Sequence, residues 1–420
     1  MAEKLAIHGG KRLRDRPWTA WPQFGEAERE ALGRVLESRN WGGFPSPNTE
    51  AREFAAEFAN YVGSRHAVLC ANGTFSLSLA LQAARVSRGA EVITTAYSFV
   101  GTPAAIVQAG CMPVFVDIDP SSYCIDPELV YGAITARTEA IMPVHLACTM
   151  ADMDALGQIA EQRGLLLVED CAHAHGARWR DRGAGSIGDL GSFSMQSSKL
   201  LTAGEGGAVT TSDATYEQRL QSLVNCGRKE ETYRDFPEQM LGYNLRMTEW
   251  QAAVLRSQLQ RLPSQHETRA TRVAQLEDAL ATLEGFSPAP RDERVTRRTS
   301  YQYVMRFDAD DFDGVNRDDV LLALHAEGVP CSGRFYLPLN EDPLFSEDPH
   351  TNPVGRDVRT FAGRAFPITR RAAYDEAIWL PHEIFLGDES DLRDLIDALA
   401  KVRQGAASLR ADPPSGRLPR

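Results

Sequence analysis

No apolar run in this chain approaches the roughly 18 residues that a membrane-crossing helix needs. The start, Met1 to Pro17, is polar and charged and lacks the apolar core of a secretion signal, which predicts a cytoplasmic protein. A surplus of cations is missing too. Lys and Arg number 45 against 57 Asp and Glu, a formal net charge of −12, which argues against a surface for nucleic acid or for anionic lipid. Cysteine is sparse: seven are scattered (Cys70, Cys111, Cys124, Cys148, Cys171, Cys226, Cys331), odd in number and without Cys-x-x-Cys spacing. That pattern gives neither a disulfide framework nor a metal site. No internal repeat is present.

At 420 residues the chain exceeds what one hydrophobic core usually supports, so a large and a smaller domain are expected. From about residue 64 to 215, short apolar runs alternate with amphipathic segments, the rhythm of a mostly parallel sheet wrapped by helices. Candidate strands are HAVLCA (66–71), EVITTA (91–96), MPVFVD (112–117), AIMPVH (140–145), LLLVED (165–170), GSFSM (191–195) and GAVTTS (207–212). Ahead of them lie two amphipathic segments, Glu26–Glu37 and Asn48–Val62, divided by the loop WGGFPSP. A helical stretch from Thr248 to about Leu283, broken near Pro263, leads to a smaller α+β domain with the strand SYQYVMRFD (300–308), a helix over 318–328 and a last helix over 388–403. The expected division is therefore 1–262, 263–404, and a disordered Pro-, Gly- and Arg-rich tail over 405–420.

Several residues fall where α/β folds keep their ligands, at strand carboxyl ends. Together they match the needs of pyridoxal 5′-phosphate (PLP): a lysine, a carboxylate for the pyridine nitrogen, phosphate donors and a flat contact for the ring. Asp170 ends an apolar strand, where a bare carboxylate is costly to bury. Lys199 lies between a strand and a Gly-rich turn, where a neighbouring cation would lower its pKa toward the free amine. Asn72-Gly73-Thr74 joins a strand to a helix start, a natural anion site, and Ser194 can add its hydroxyl. Phe99 can lie flat on a ring. Each has a plainer alternative: an ion pair or cap for Asp170, a surface position for Lys199, a simple turn at residues 72–74, core filling for Phe99.

The segments ANGTFSLSLAL (71–81), EVITTAYSFVGT (91–102), VFVDIDPSSYCIDP (114–127), VEDCAHAHGA (168–177), FSMQSSKLLTAGEGGAVTT (193–211) and GYNLRMTEWQAAV (242–254) closely resemble the DegT/DnrJ/EryC1/StrS aminotransferases. The resemblance implies the fold-type I, aspartate-aminotransferase-like architecture and a homodimer with shared active sites. It makes Lys199 the Schiff-base lysine, Asp170 the partner of the pyridine nitrogen, and His173 a neighbour of the cofactor's phenolic oxygen. Gly73, Thr74 and Ser194 match phosphate contacts, Phe99 the stacking position, and Asn244 an asparagine reaching the phosphate of the neighbouring subunit. His145 matches a motif histidine to which the resemblance assigns no exact task, and it is counted with Trp41, Arg228 and Tyr233 among the candidates for contact with substrate. Because the lysine is present, transamination is favoured over the dehydration run by a family branch with histidine in its place.

PVHLACTMADMDAL, EDCAHAHGARW, KLLTAGEGGAV, RRTSYQYVMRFD and YLPLNEDPLF look most like the branch that aminates free keto cyclitols such as scyllo-inosose, generally from L-glutamine, and also like 3-amino-5-hydroxybenzoate synthase. The expected reaction moves an amino group from L-glutamine or L-glutamate to a keto cyclitol or keto sugar in antibiotic biosynthesis, with a nucleotide-linked keto sugar as the alternative acceptor. Trp18, Trp21, Trp41 and Phe44 are candidates for a cup around a sugar ring. Arg228, Lys229, Tyr233 and Arg234 form a basic, aromatic loop suited to the donor's carboxylate.

Overall fold

The computed structural model describes residues 3–43, 48–228, 237–345 and 365–416. Seven strands build the main sheet: β1 (His66–Cys70), β2 (Glu91–Thr95), β3 (Met112–Val116), β4 (Thr138–Met142), β5 (Leu166–Asp170), β6 (Leu190–Ser194) and β7 (Gly207–Thr211). Their spatial order is β1-β7-β6-β5-β4-β2-β3, and β7 alone runs against the rest. β2, β3, β6 and β7 are buried at every position, which is why their sequences read as apolar runs without alternation. The helices α1 (Glu26–Ser38) and α2 (Thr49–Val62) precede the sheet, and α3 (Gly73–Ala83), α4 (Gly101–Gln108), α5 (Pro127–Ala133), α6 (Met153–Arg163) and α7 (Ala214–Val224) cover its faces.

α8 (Glu249–Leu280) leaves this layer and enters the second. It begins with a capping box between Thr248 and Gln251 and runs unbroken through Pro263, where a break was expected. An internal proline costs a helix about 3 kcal/mol. Here Leu255, Leu259 and Leu262 are sunk in the first core, and Val273, Leu276 and Leu280 in the second. Burying each such side chain contributes roughly 1.5–3 kcal/mol, so packing outweighs the local defect.

The smaller layer is an antiparallel sheet of β8 (Phe286–Ser287), β9 (Gln302–Phe307) and β10 (Ala377–Pro381), carrying α9 (Arg317–Glu327) and α10 (Glu389–Gln404). Two features depart from the sequence reading. Residues 5–18, assigned there to the large domain, pack on the small one: Leu5 joins its core, Glu327 receives the Ala6 and Leu13 N–H groups, and Arg14 pairs with Asp391 and Asp394. The tail starts as α11 (Ala406–Ala411), held by buried Ala406 and Leu409, two apolar residues one helical turn apart. Among the described residues no helix is long and apolar enough to cross a membrane.

Candidate active site

Successive residues of a strand face opposite sides, so the acids that end β5 serve different purposes. Glu169 turns to a closed niche. Its oxygens accept the backbone N–H groups of Gly185 (2.9 Å), Ile187 (2.7 Å) and Gly188 (2.7 Å) and face His145 Nε2 at 3.0 Å. Burial would push this carboxyl's pKa up, but His145 and the backbone donors outweigh it and hold the group below its ordinary value. His145 Nδ1 accepts the Ala151 N–H at 3.2 Å, so the network assigns its proton to Nε2. With both ring nitrogens engaged and no exposure, His145 buttresses Glu169; its expected place beside the substrate is corrected on that ground.

Asp170 faces the other way, toward the strand ends. Thr102 Oγ1 donates to its Oδ2 at 2.8 Å, with Ser98 Oγ 3.1 Å behind Thr102, and the Ala172 N–H reaches Oδ1 at 3.1 Å. A carboxylate has about four acceptor positions, so this one keeps capacity for a further donor. Burial pushes its pKa up, against the pull of Thr102, the Ala172 N–H and the charge of Lys199. A cationic ring nitrogen placed against Asp170 would relieve that penalty.

Lys199 follows β6 in a turn closed by its own N–H to the Gln196 carbonyl at 2.8 Å. The residue is 8% exposed, and its Nζ stands 4.2 Å from the centre of the Tyr301 ring. Burial lowers the amine to about 8, with Asp170 acting in the opposite sense. The cause is therefore desolvation, whereas the sequence reading looked to a neighbouring cation.

His173 Nδ1 accepts the Ala147 N–H at 3.1 Å, so the proton is assigned to Nε2, which donates to Tyr336 Oη at 3.0 Å. Burial pushes the imidazole pKa far down, with Lys199 adding to it, so the ring is neutral. Having accepted from His173, the Tyr336 hydroxyl keeps its own proton to donate elsewhere. Tyr301 lies 4.3 Å from His173 on its other side and bonds Ser198 Oγ at 2.7 Å. The sequence reading singled out neither tyrosine as a site residue, although both stand in segments quoted for the resemblance.

Gly73 and Thr74 open α3, where first-turn N–H groups lack intrahelical partners. A Cβ on Gly73 would come within 2.5 Å of Ser194 Cβ, so glycine is what lets this turn sit against the Ser194 hydroxyl. Gly101 similarly makes room for the Phe99 ring and Thr74 Oγ1. Phe99 is 56% exposed, free on one face to meet a planar ring. Amine, acid, anion cradle and aromatic together could hold a phosphorylated pyridine aldehyde, with Lys199 as its covalent anchor.

The remaining candidates separate. Trp18 lies under the Arg14 guanidinium (3.7 Å) and donates to the Gly328 carbonyl, which makes it small-domain packing and not part of a cup. Trp21 stays beside the lysine turn, donating to the Ser197 carbonyl at 3.0 Å. Trp41 is 52% exposed against Trp250, and Asn244 and Arg228 are exposed. Phe44, Lys229, Tyr233 and Arg234 lie outside the described residues.

Comparison with known proteins agrees with this geometry. A protein of Streptoalloteichus tenebrarius provisionally named L-glutamine:3-amino-2,3-dideoxy-scyllo-inosose aminotransferase is 47% identical over 98% of this chain and 100% of its own length. The L-glutamine:2-deoxy-scyllo-inosose aminotransferase of Streptomyces lividus is 39% identical over 98% of this chain and 100% of its own. The crystal structure of 3-amino-5-hydroxybenzoic acid synthase superposes with a TM-score of 0.81 at 35% identity, covering 93% of this chain and 99% of that one. The model of the DegT/DnrJ/EryC1/StrS aminotransferase family matches residues 22–399, and the chain belongs to that family.

Proposed function

We propose that this aminotransferase uses pyridoxal 5′-phosphate to move the amino group of L-glutamine onto a keto cyclitol, as a step of antibiotic biosynthesis. The observation that carries the donor and acceptor is that relatives matched end to end, at 47% and 39% identity, both carry L-glutamine and an inosose in their names. For the cofactor, the support is the pairing of buried Lys199 and Asp170, which act on each other's charge, with the start of α3 set against Ser194.

When bound, the cofactor supplies an electron sink that makes the donor's Cα acidic. The chain's own residues do the rest. Asp170, steadied by Thr102, keeps a proton on the pyridine nitrogen. Lys199, easily freed of its own proton because it is buried, takes the proton from the donor's Cα at Nζ and would deliver it to the carbon on the other side of the transferred nitrogen. His173 is fixed in one tautomer and, with Tyr336, presents an oriented hydroxyl on the small-domain side. Glutamine leaves as its 2-oxo acid, and the keto carbon of the acceptor receives the nitrogen in the reverse half-reaction. Arg228 draws in the donor carboxylate, so Arg228→Ala raises the KM for glutamine more than the KM for the acceptor.

A homodimer completes the site in this reading. Exposed Asn244 lies near Leu241, which is 95% exposed, an apolar position suited to cover by a second subunit. The likeness to 3-amino-5-hydroxybenzoic acid synthase favours one other reading, loss of water from an aminodehydroquinate-like substrate, which product analysis separates from amine transfer.

The test is an absorbance spectrum of PLP-loaded protein before and after L-glutamine, then after scyllo-inosose, for wild type and Lys199→Ala. Conversion by glutamine and recovery with inosose, both absent in the variant, is the expected result. Conversion without recovery rejects this acceptor and points to nucleotide-linked keto sugars. No conversion with any amino donor rejects the proposal.

A further inference from the structure

Beside the lysine turn the small domain presents a carboxylate without a cationic partner in contact. Glu383 follows β10 and is half-buried, with 31% of its side chain exposed. Its nearest ionisable neighbour is His382, whose Nε2 is 3.8 Å from Glu383 Oε2. That histidine is no counter-charge. Its Nδ1 accepts from Arg269 Nη2 at 3.1 Å, so its proton is on Nε2, facing the Ser198 carbonyl at 3.2 Å, and burial holds the ring neutral. Among the described residues the cation whose charge acts on Glu383 is Arg269, 1% exposed, which holds His382 through Nη2, leaves Nε and Nη1 without a partner and does not reach the carboxylate. Among the described residues no Lys or Arg lies within 4.0 Å of this carboxylate.

The position is close to the chemistry. Glu383 stands by His382, which touches Ser198, and its charge is felt by Tyr301, the ring against Lys199 Nζ. Trp21 meets His382 edge-on at 4.6 Å, so an aromatic ring packs on the residue next to the acid. That pairing suits a cyclitol carrying both a C–H face and an ammonium group. A half-buried acid with no counter-ion in contact is raised in pKa by burial, which the charge of Arg269 offsets only in part, and a cationic ligand removes that penalty.

We propose that Glu383 binds the ammonium of an acceptor that already carries one amino group, with Trp21 as the wall for its ring. This deepens the keto-cyclitol reading above and rests on it: the substrate class becomes an amino keto cyclitol, and Glu383 the residue that tells it from an amine-free one.

The experiment measures kcat/KM with saturating L-glutamine for 3-amino-2,3-dideoxy-scyllo-inosose and for 2-deoxy-scyllo-inosose, and reads their ratio. Glu383→Gln should lower the ratio about ten- to hundredfold, the loss expected for one charged hydrogen bond, and Glu383→Asp should restore part of it. In the wild type, raising ionic strength should increase KM for the aminated acceptor more than for the other, which keeps the test open if a variant fails to fold. An unchanged ratio in Glu383→Gln, or equal salt effects on the two acceptors, overturns the proposal and leaves Glu383 as a balance for Arg269. If glutamine converts the cofactor but neither cyclitol is aminated, the acceptor reading falls, and the proposal falls with it.

Discussion

The two walls of the active site are built differently. On the large-domain side, Gly73, Thr74, Asp170, Ser194 and Lys199 each follow or end a strand of one sheet, and each was recognisable within a short motif. On the small-domain side, Tyr301, Tyr336, His382 and Glu383 come from a strand entry, a loop and a 3-10 turn; Tyr301 meets Lys199 itself, Tyr336 meets His173, and His382 meets Ser198 with Glu383 beside it, all through tertiary packing. The first wall carries reacting groups that the chemistry requires. The second sets their environment, above all the burial of Lys199, and offers the groups through which substrates can be told apart.

Experiments can break or sharpen that contrast. The largest effect is expected on the sheet side: Lys199→Ala should lower turnover by at least roughly a thousandfold in single-turnover assays, since general acid–base and covalent functions are lost together. Asp170→Asn should follow with about a hundredfold loss of kcat at unchanged fold, read by kinetics beside circular dichroism. Crossing the boundary, the capture of PLP by cofactor-free protein should speed up about tenfold per pH unit below 8 and level off above it, because the neutral amine of Lys199 appears there. The sign is definite: burial lowers this pKa, so Tyr301→Ala, which wets the amine, should move the midpoint up toward 10.5. An unmoved midpoint would show that the small-domain wall does not tune the lysine. The smallest effect is expected for Tyr336→Phe, a roughly threefold to tenfold fall in kcat from one lost neutral hydrogen bond. A loss as large as that of Asp170→Asn would erase the distinction between the walls.

The same division explains what could be read from the sequence. All seven main strands overlap the segments marked by apolar runs, five lying inside them while β4 and β6 begin two residues and one residue earlier, because near-complete burial leaves little room for polar alternation. Asp170 and Lys199 were found because strand ends are local features. His145 was misplaced because a motif histidine does not reveal which face it takes; only the contact with Glu169 shows that. The cause of the lowered lysine pKa was missed because Tyr301 lies about a hundred residues away along the chain and its contact is long-range. Pro263 misled because helix propensity is local, while the apolar residues that keep α8 continuous belong to two separate cores.

That unbroken helix has an architectural consequence. At 32 residues α8 is about 48 Å of continuous rod, with one end set in each core. A boundary drawn at residue 262 would saw through the beam and leave each half with a bare apolar stump. The two layers therefore cannot be produced as independent pieces by cutting there. Any rocking of one against the other has to flex this beam instead of swinging on a joint, so access for successive substrates falls to the loops around the lysine.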